Sequence, residues 1–233
     1  MMLKTKLTRA LATGVLALAA PMILAAASAA QANWNTTFST TEAGHKVGNP
    51  QAKTSLVAFV SYSCSHCADF EKQSDAPLRA GYIQSGKVSV EVRHVIRNPV
   101  DLAAALTTEC GDPGRFFERH RAMMLSQASW MGTAQATTPA QQQRWMSGDL
   151  GSRMRAIASD LDFYKLMEPR GLARAQLDRC LSDEAHATSI VETSQAQGAR
   201  FSIPGTPSFV VNGRLLDGVH TWSQLQQALD ESS

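Results

Sequence analysis

The chain has 233 residues, 18% charged and 44% hydrophobic, with four cysteines and a formal net charge of +2. Residues 1–32 hold three of the 22 basic residues (Lys4, Lys6 and Arg9) and no acid, which leaves 19 basic against 20 acidic residues and a net charge of −1 beyond them. That balance removes any bulk-charge argument for nucleic acid or acidic membranes. The remaining length can bury a core unaided, and the composition excludes disordered, collagen-like and disulfide-scaffold classes.

In chain order, the segment 1–32 reads as a secretory signal peptide. Its three cations precede an apolar run from Leu11 to Ala27, and Ala30-Gln31-Ala32 fits a small-x-small cleavage site. The run is rich in alanine and carries Gly14 and Pro21, so it is weakly apolar for a permanent span. The expectation is an exported, periplasmic protein in a compartment where disulfides persist.

Thr54 to Tyr62 is a nearly continuous β-branched and aromatic run, the pattern of a strand covered on both faces. It hands over to Ser63-Cys64-Ser65-His66-Cys67 and a helix to about Leu78. Lys87 to Val95 alternates, with Val88, Val90 and Val92 on one face and Ser89, Glu91 and Arg93 on the other, as in a half-buried strand. Strand, helix and strand make a βαβ unit with a parallel pair. Helical patterns follow near 100–110, 114–127, 139–146, 151–167, 171–181 and 183–200. Ser208–Val211 and Arg214–Leu216 then flank Asn212-Gly213, a two-residue hairpin signal. Thr221 can cap a last helix with Trp222, Leu225 and Leu229 on one face. The economical architecture is an α/β domain built from both ends of the chain and interrupted by a helical insertion.

Cys64 and Cys67 sit where a buried strand meets a helix, and their spacing places both sulfurs on one helical face. At the helix N-terminus, unpaired N–H groups and the helix dipole favour the Cys64 thiolate, and His66 between the cysteines can add positive charge. A stabilised thiolate makes the disulfide a stronger oxidant. Cys64 is then the exposed nucleophile and Cys67 the resolving partner. An inert bridge and half of a zinc site are the competing readings. A bridge this short constrains little chain, and no second Cys-x-x-Cys or His-x-x-x-His completes a metal set.

The run Leu56-Val57-Ala58-Phe59-Val60-Ser61-Tyr62-Ser63-Cys64-Ser65-His66-Cys67, led by Gly48-Asn49-Pro50, resembles the DsbA-like thiol:disulfide oxidoreductases. Pro204-Gly205-Thr206-Pro207-Ser208-Phe209-Val210-Val211-Asn212-Gly213 resembles the second half of that family's site. The resemblance implies a thioredoxin fold interrupted by an all-helical insertion: a first part over 33–98, the insertion over 99–200 and a second part over 201–233. It implies that Pro207 is a cis-proline facing the cysteine pair and that Thr206 binds an extended substrate strand. It also implies reoxidation by a quinone-linked membrane protein. No organic cofactor is required, because the cysteines carry the electrons. The chain departs from the family at Ala58, where many relatives carry a buried acid beneath the cysteines, and at Ser65, where proline is common.

With Cys64 and Cys67 paired locally, Cys110 and Cys180 are the natural remainder, read as a structural disulfide near the two ends of the insertion, with a second redox pair that tunes the first, or a relay, as the competing reading. All six methionines beyond the leader (Met123, Met124, Met131, Met146, Met154 and Met167) fall in the insertion, as core filling or as an adaptable peptide surface. The remaining histidines (His45, His94, His120, His186 and His220) show no metal spacing and read as ordinary surface or core residues.

The expected function is an exported protein-disulfide oxidoreductase that oxidises unfolded or reduced exported proteins through Cys64–Cys67. It is expected to act as a monomer, without metal and without nucleic acid. An isomerase or reductase on the same fold is the first alternative, and a non-catalytic thiol- or metal-binding module is the second.

Overall fold

The run that begins at Thr54 becomes the centre of a six-stranded sheet in a computed structural model that describes residues 32–232. The signal-peptide reading of 1–32 lies outside the described residues, apart from Ala32. The strands are β1 (Phe38–Thr40), β2 (His45–Val47), β3 (Thr54–Val60), β4 (Val88–His94), β5 (Ser208–Val211) and β6 (Arg214–Leu215), in the order β1-β2-β4-β3-β5-β6. Strands β3 and β4 pair in parallel, and the other neighbours are antiparallel.

Helix α1 (Ser65–Pro77), extended by a wider turn over Leu78–Ile83, makes the crossover between β3 and β4. Leu56, Ala58 and Val60 of β3 enter the main core, whereas Val57 and Phe59 join Val210 in a smaller cluster on the other face of the sheet. Period-two alternation with both faces covered explains why that strand shows almost no polar residue.

Asn212 and Gly213 both have positive φ, 49° and 80°, the geometry of the tight turn that joins β5 to β6. The Asn212 side chain also accepts from the Ser55 N–H at 2.9 Å, tying the hairpin back to β3. The last helix, α10 (Trp222–Ser232), buries Trp222, Leu225 and Leu229 as the periodicity predicts.

Between β4 and β5 run α2 (Pro99–Glu109), α3 (Phe116–Leu125), α4 (Gln127–Gln135), α5 (Pro139–Met146), α6 (Leu150–Asp160), α7 (Phe163–Met167), α8 (Arg174–Leu181) and α9 (Glu184–Arg200). Local chemistry sets several of their starts. Asn98 caps the Asp101 N–H with Pro99 in the first turn, and Thr138 and Gln141 form a reciprocal capping box ahead of α5. Met123, Met124, Met154 and Met167 are buried, so most of the methionines fill core, while Met146 is 68% exposed.

One element is added and three expectations change. The segment before β3 contains a hairpin, β1–β2, that joins the sheet against β4. Its strands are three residues each, too short to show alternation. Strand β4 is not half-exposed: Ser89 and Glu91 are buried, because Thr41 and Arg93 both bond the Glu91 carboxylate at 2.8 Å. The pattern over 114–127 is not one helix, since α3 ends at Ser126 and α4 continues to Gln135. The pattern over 151–167 breaks at Asp162, whose φ of 60° cannot continue a right-handed helix.

Candidate functional site

The turn from Ser61 to Cys64 connects the buried end of β3 to the first turn of α1, with the Cys64 N–H bonded to the Ser61 carbonyl at 3.2 Å. Cys64 is the N-cap of α1, and its carbonyl accepts from the N–H groups of Cys67 and Ala68 at 3.1 and 3.3 Å. The two cysteines stand as a dithiol. The expectation of an exposed nucleophile needs correction, because both are buried: Cys64 is 7% exposed and Cys67 is 1%. Thr206 lies against Cys64, the more accessible of the two. Its Sγ lies 3.2 Å from the Thr206 carbonyl oxygen, and the Thr206–Pro207 bond is cis.

The environments of the two sulfurs differ in sign. The hydrogen bond from Cys67 is the largest influence on Cys64. Burial opposes it, but the Thr206 hydroxyl, the Cys67 N–H and the charge of Arg97 add to it, and the Cys64 thiol is lowered to about 5. Burial pushes the Cys67 thiol well up, and the hydrogen bond and charge of Cys64 push it further. The Thr206 hydroxyl acts on both sulfurs and has no regular hydrogen-bond partner among the described residues.

The cation acting on Cys64 is one that sequence reasoning missed. Arg97 follows β4, and its Nε and Nη2 donate to the hydroxyls of Ser61 and Ser63 at 3.1 and 3.2 Å. Asp101 of α2, fully buried, holds this corner together. Its carboxylate accepts from the Ser61 hydroxyl, the Ser63 N–H and the Arg97 N–H at 2.8, 2.8 and 3.0 Å. An Asp near the start of a helical pattern reads as an ordinary first-turn acid. Only the fold shows it facing the turn before Cys64.

His66 is exposed and lies on an open groove of about 460 Å³ with Gly205, Thr206, Pro207 and His220. The Nδ1 of His220 is 2.8 Å from the Pro207 carbonyl oxygen, so this histidine belongs to the groove. A second residue that the sequence did not reveal is Gln127 of α4. It is 5% exposed, and its amide nitrogen donates to the carbonyls of Tyr62 and Cys64 at 2.6 and 2.7 Å. Beside Ala58, where many relatives carry an acid, a cavity of about 40 Å³ is bordered by Glu71 and His120. His120 in turn meets the Tyr62 hydroxyl at 2.8 Å.

The other cysteine pair lies elsewhere. Cys110 and Cys180 form a disulfide with a Cα–Cα distance of 5.7 Å. Next to it, His45, His94 and His186 place Nε2 atoms 3.6, 3.1 and 2.8 Å from the Glu109 carboxylate, so these histidines are not independent of one another. Among the described residues no group of three or more His, Cys, Asp or Glu is arranged to hold a metal ion.

The fold has counterparts in known proteins. A family model described as Thioredoxin matches residues 40–231. A solved structure from Novosphingobium aromaticivorans, described as a protein-disulfide isomerase, is 46% identical, with a TM-score of 0.77 over 82% of this chain and 99% of that one. The Wolbachia pipientis protein alpha-DsbA1 shares the fold at 18% identity and a TM-score of 0.62, over 80% of this chain and 88% of that one. Among curated proteins, one from Rickettsia conorii with the description protein-disulfide oxidoreductase is 22% identical over 84% of this chain and 62% of its own length. One from Rickettsia felis is 26% identical over 84% of this chain and 62% of its own. The chain therefore spans less than two thirds of the curated relatives it matches. It belongs to the thioredoxin family, in the DsbA-like form in which helices interrupt the sheet.

Proposed function

We propose that the chain is a protein-disulfide oxidoreductase that introduces disulfides into reduced exported proteins through Cys64 and Cys67. The observation that carries this reading is the geometry of the pair, with Cys64 at the N-cap of α1 and its Sγ 3.2 Å from the Thr206 carbonyl oxygen, beside the cis Thr206–Pro207 bond. The opposite bias of the two thiols agrees with it, Cys64 being lowered to about 5 and Cys67 pushed upward. In the oxidised protein, a substrate thiolate attacks the Cys64 sulfur. A mixed disulfide forms, and Cys67 leaves and takes up a proton. A second substrate thiolate then attacks the substrate sulfur of the mixed disulfide. This releases the Cys64 thiolate and an oxidised substrate, with two electrons transferred to the protein. A low Cys64 pKa makes it a good leaving group in that second step. Thr206 and Pro207 line the groove where an extended substrate backbone can lie beside the sulfurs.

Export to the periplasm under the leader 1–32, reoxidation by a quinone-linked membrane protein, action as a monomer and independence of organic cofactors all belong to this reading. So do the division into 33–98, 99–200 and 201–233 and a structural role for Cys110–Cys180. Retention of dithiol oxidase activity by Cys64→Ser would overturn it.

A second reading, isomerisation, is favoured by the 46% identity to a protein described as a protein-disulfide isomerase. The equilibrium of Cys64–Cys67 with glutathione separates the two. A strongly oxidising pair supports the oxidase. A pair that stays reduced and rescues a scrambled substrate supports the isomerase.

A further inference from the structure

The redox turn is held from outside its own strand and helix. Residues 61–64 belong to the β3–α1 connection, yet two of their carbonyl neighbourhoods converge on a side chain more than 60 residues away. Gln127 is the first residue of α4, immediately after the break at Ser126, whose φ and ψ of −91° and 1° end α3.

The amide group has two N–H donors. Both acceptors within reach are carbonyls of the redox turn, Tyr62 at 2.6 Å and Cys64 at 2.7 Å, and Gln127 is 5% exposed. The Tyr62 and Cys64 carbonyls bracket Ser63, so the clamp spans the bend that presents the Cys64 side chain. The Cys64 carbonyl also accepts the first helical N–H bonds of α1, which fixes the axis whose N-terminus faces the sulfur. Helix α4 is itself anchored, because Trp130 Nε1 donates to the Met123 carbonyl at 3.0 Å and its ring meets Phe163 edge-on at 5.5 Å. The amide is neutral, so it can hold this geometry without titrating while the cysteines exchange protons and electrons.

We propose that Gln127 is a positioning residue, through which the helices between β4 and β5 fix the Cys64 turn and help set how readily the Cys64–Cys67 pair accepts electrons. The proposal rests on the reading of Cys64 as the reactive thiol, and its direct readout is the titration of Cys64 rather than enzyme turnover. Loss of activity in Cys64→Ser tests the function, whereas the Gln127 variants test the clamp.

Gln127→Met keeps the length and removes both donors, and Gln127→Glu replaces the donating amide with an acceptor. In the folded variants, the Cys64 titration followed by thiolate absorbance is expected to move upward by about one pH unit, a tenfold change in the ionisation constant. The equilibrium with glutathione is expected to move several-fold toward the oxidised pair, because the reduced form loses its stabilised thiolate. A folded variant with both quantities within twofold of the parent overturns the proposal, since a purely structural amide would change the unfolding midpoint alone. If neither variant folds, the parent protein decides the matter by NMR. The two Gln127 side-chain amide protons are expected to be exchange-protected and to shift as Cys64 titrates. Signals averaged like those of an exposed glutamine would overturn the clamp.

Discussion

The two cysteine pairs of this chain lie in one molecule under opposite physical constraints. Cys64 and Cys67 are three residues apart, so linking them closes a short loop and removes little entropy from the unfolded chain. Around them the fold places Arg97, the Thr206 hydroxyl and a helix N-terminus, all of which favour a thiolate. Cys110 and Cys180 are 70 residues apart, and closing that loop stabilises by about 4 kcal/mol on the chain-entropy account. Their neighbour Glu109 is an anion, which disfavours a second negative charge nearby. Sequence separation and local charge therefore favour the proposed division, with one pair for exchange and the other for support.

The largest expected effect comes from Cys64→Ser, which should abolish oxidation of a dithiol peptide and capture of a mixed disulfide, while its melting temperature at neutral pH falls below that of the reduced parent, whose Cys64 thiolate it lacks. A different pattern is expected for the double variant Cys110→Ala/Cys180→Ala. Its stability by denaturant titration should fall by about 4 kcal/mol, whereas the glutathione equilibrium of the remaining pair should be little changed. A large shift in that equilibrium would mean that the two pairs are coupled, and the comparison would fail.

Glu109 sharpens the support side. Burial alone pushes its carboxyl up, but hydrogen bonds from His186, His45 and His94 outweigh burial and hold it well below the ordinary range. A carboxyl with a depressed folded pKa contributes stability that is present above its unfolded value of about 4.5 and is lost as pH falls through the folded value. His186 is raised by Glu109, so its contribution is complete below the unfolded histidine value and fades as pH rises through the folded one. Glu109→Gln should cost about 2 kcal/mol near neutral pH and flatten both limbs of the stability profile. An unchanged pH profile would count against the cluster.

On the exchange side, the lowered Cys64 pKa favours the reduced protein. Its unfolded thiol titrates near the ordinary value of 9.0 and its folded thiol at about 5, so the stabilisation is full above the former and disappears as pH falls through the latter. Reduced protein should therefore melt above oxidised protein at neutral pH, with the gap closing toward pH 5. The smallest effect is expected from Arg97→Gln. Its side chain is 45% exposed, so solvent and salt screen it, and the Cys64 titration should rise by only a fraction of a pH unit, less at high salt.

Much of this was legible locally. The Thr54–Tyr62 run, the Cys-x-x-Cys step, the Asn212-Gly213 turn and the apolar stripe of the last helix each depend on neighbours within a few residues, so the sequence pattern determined them. The two halves of the site were legible as motifs through their resemblance to a family. What stayed hidden depended on contacts between distant segments. The hairpin over 38–47 is too short to show a period, and Gly44 is required there because an added Cβ would lie 2.1 Å from the Val92 carbonyl oxygen. Arg97, Asp101 and Gln127 carry no motif, and His45, His94 and His186 show no spacing, because their partners are set by chain packing rather than by neighbours in sequence. The sequence by itself determined where the two cysteines of the Cys-x-x-Cys step stand, between a buried strand and a helix. Only the tertiary structure decided which cation, which carbonyl and which amide surround them, because those groups arrive from β4, the cis-proline segment and α4.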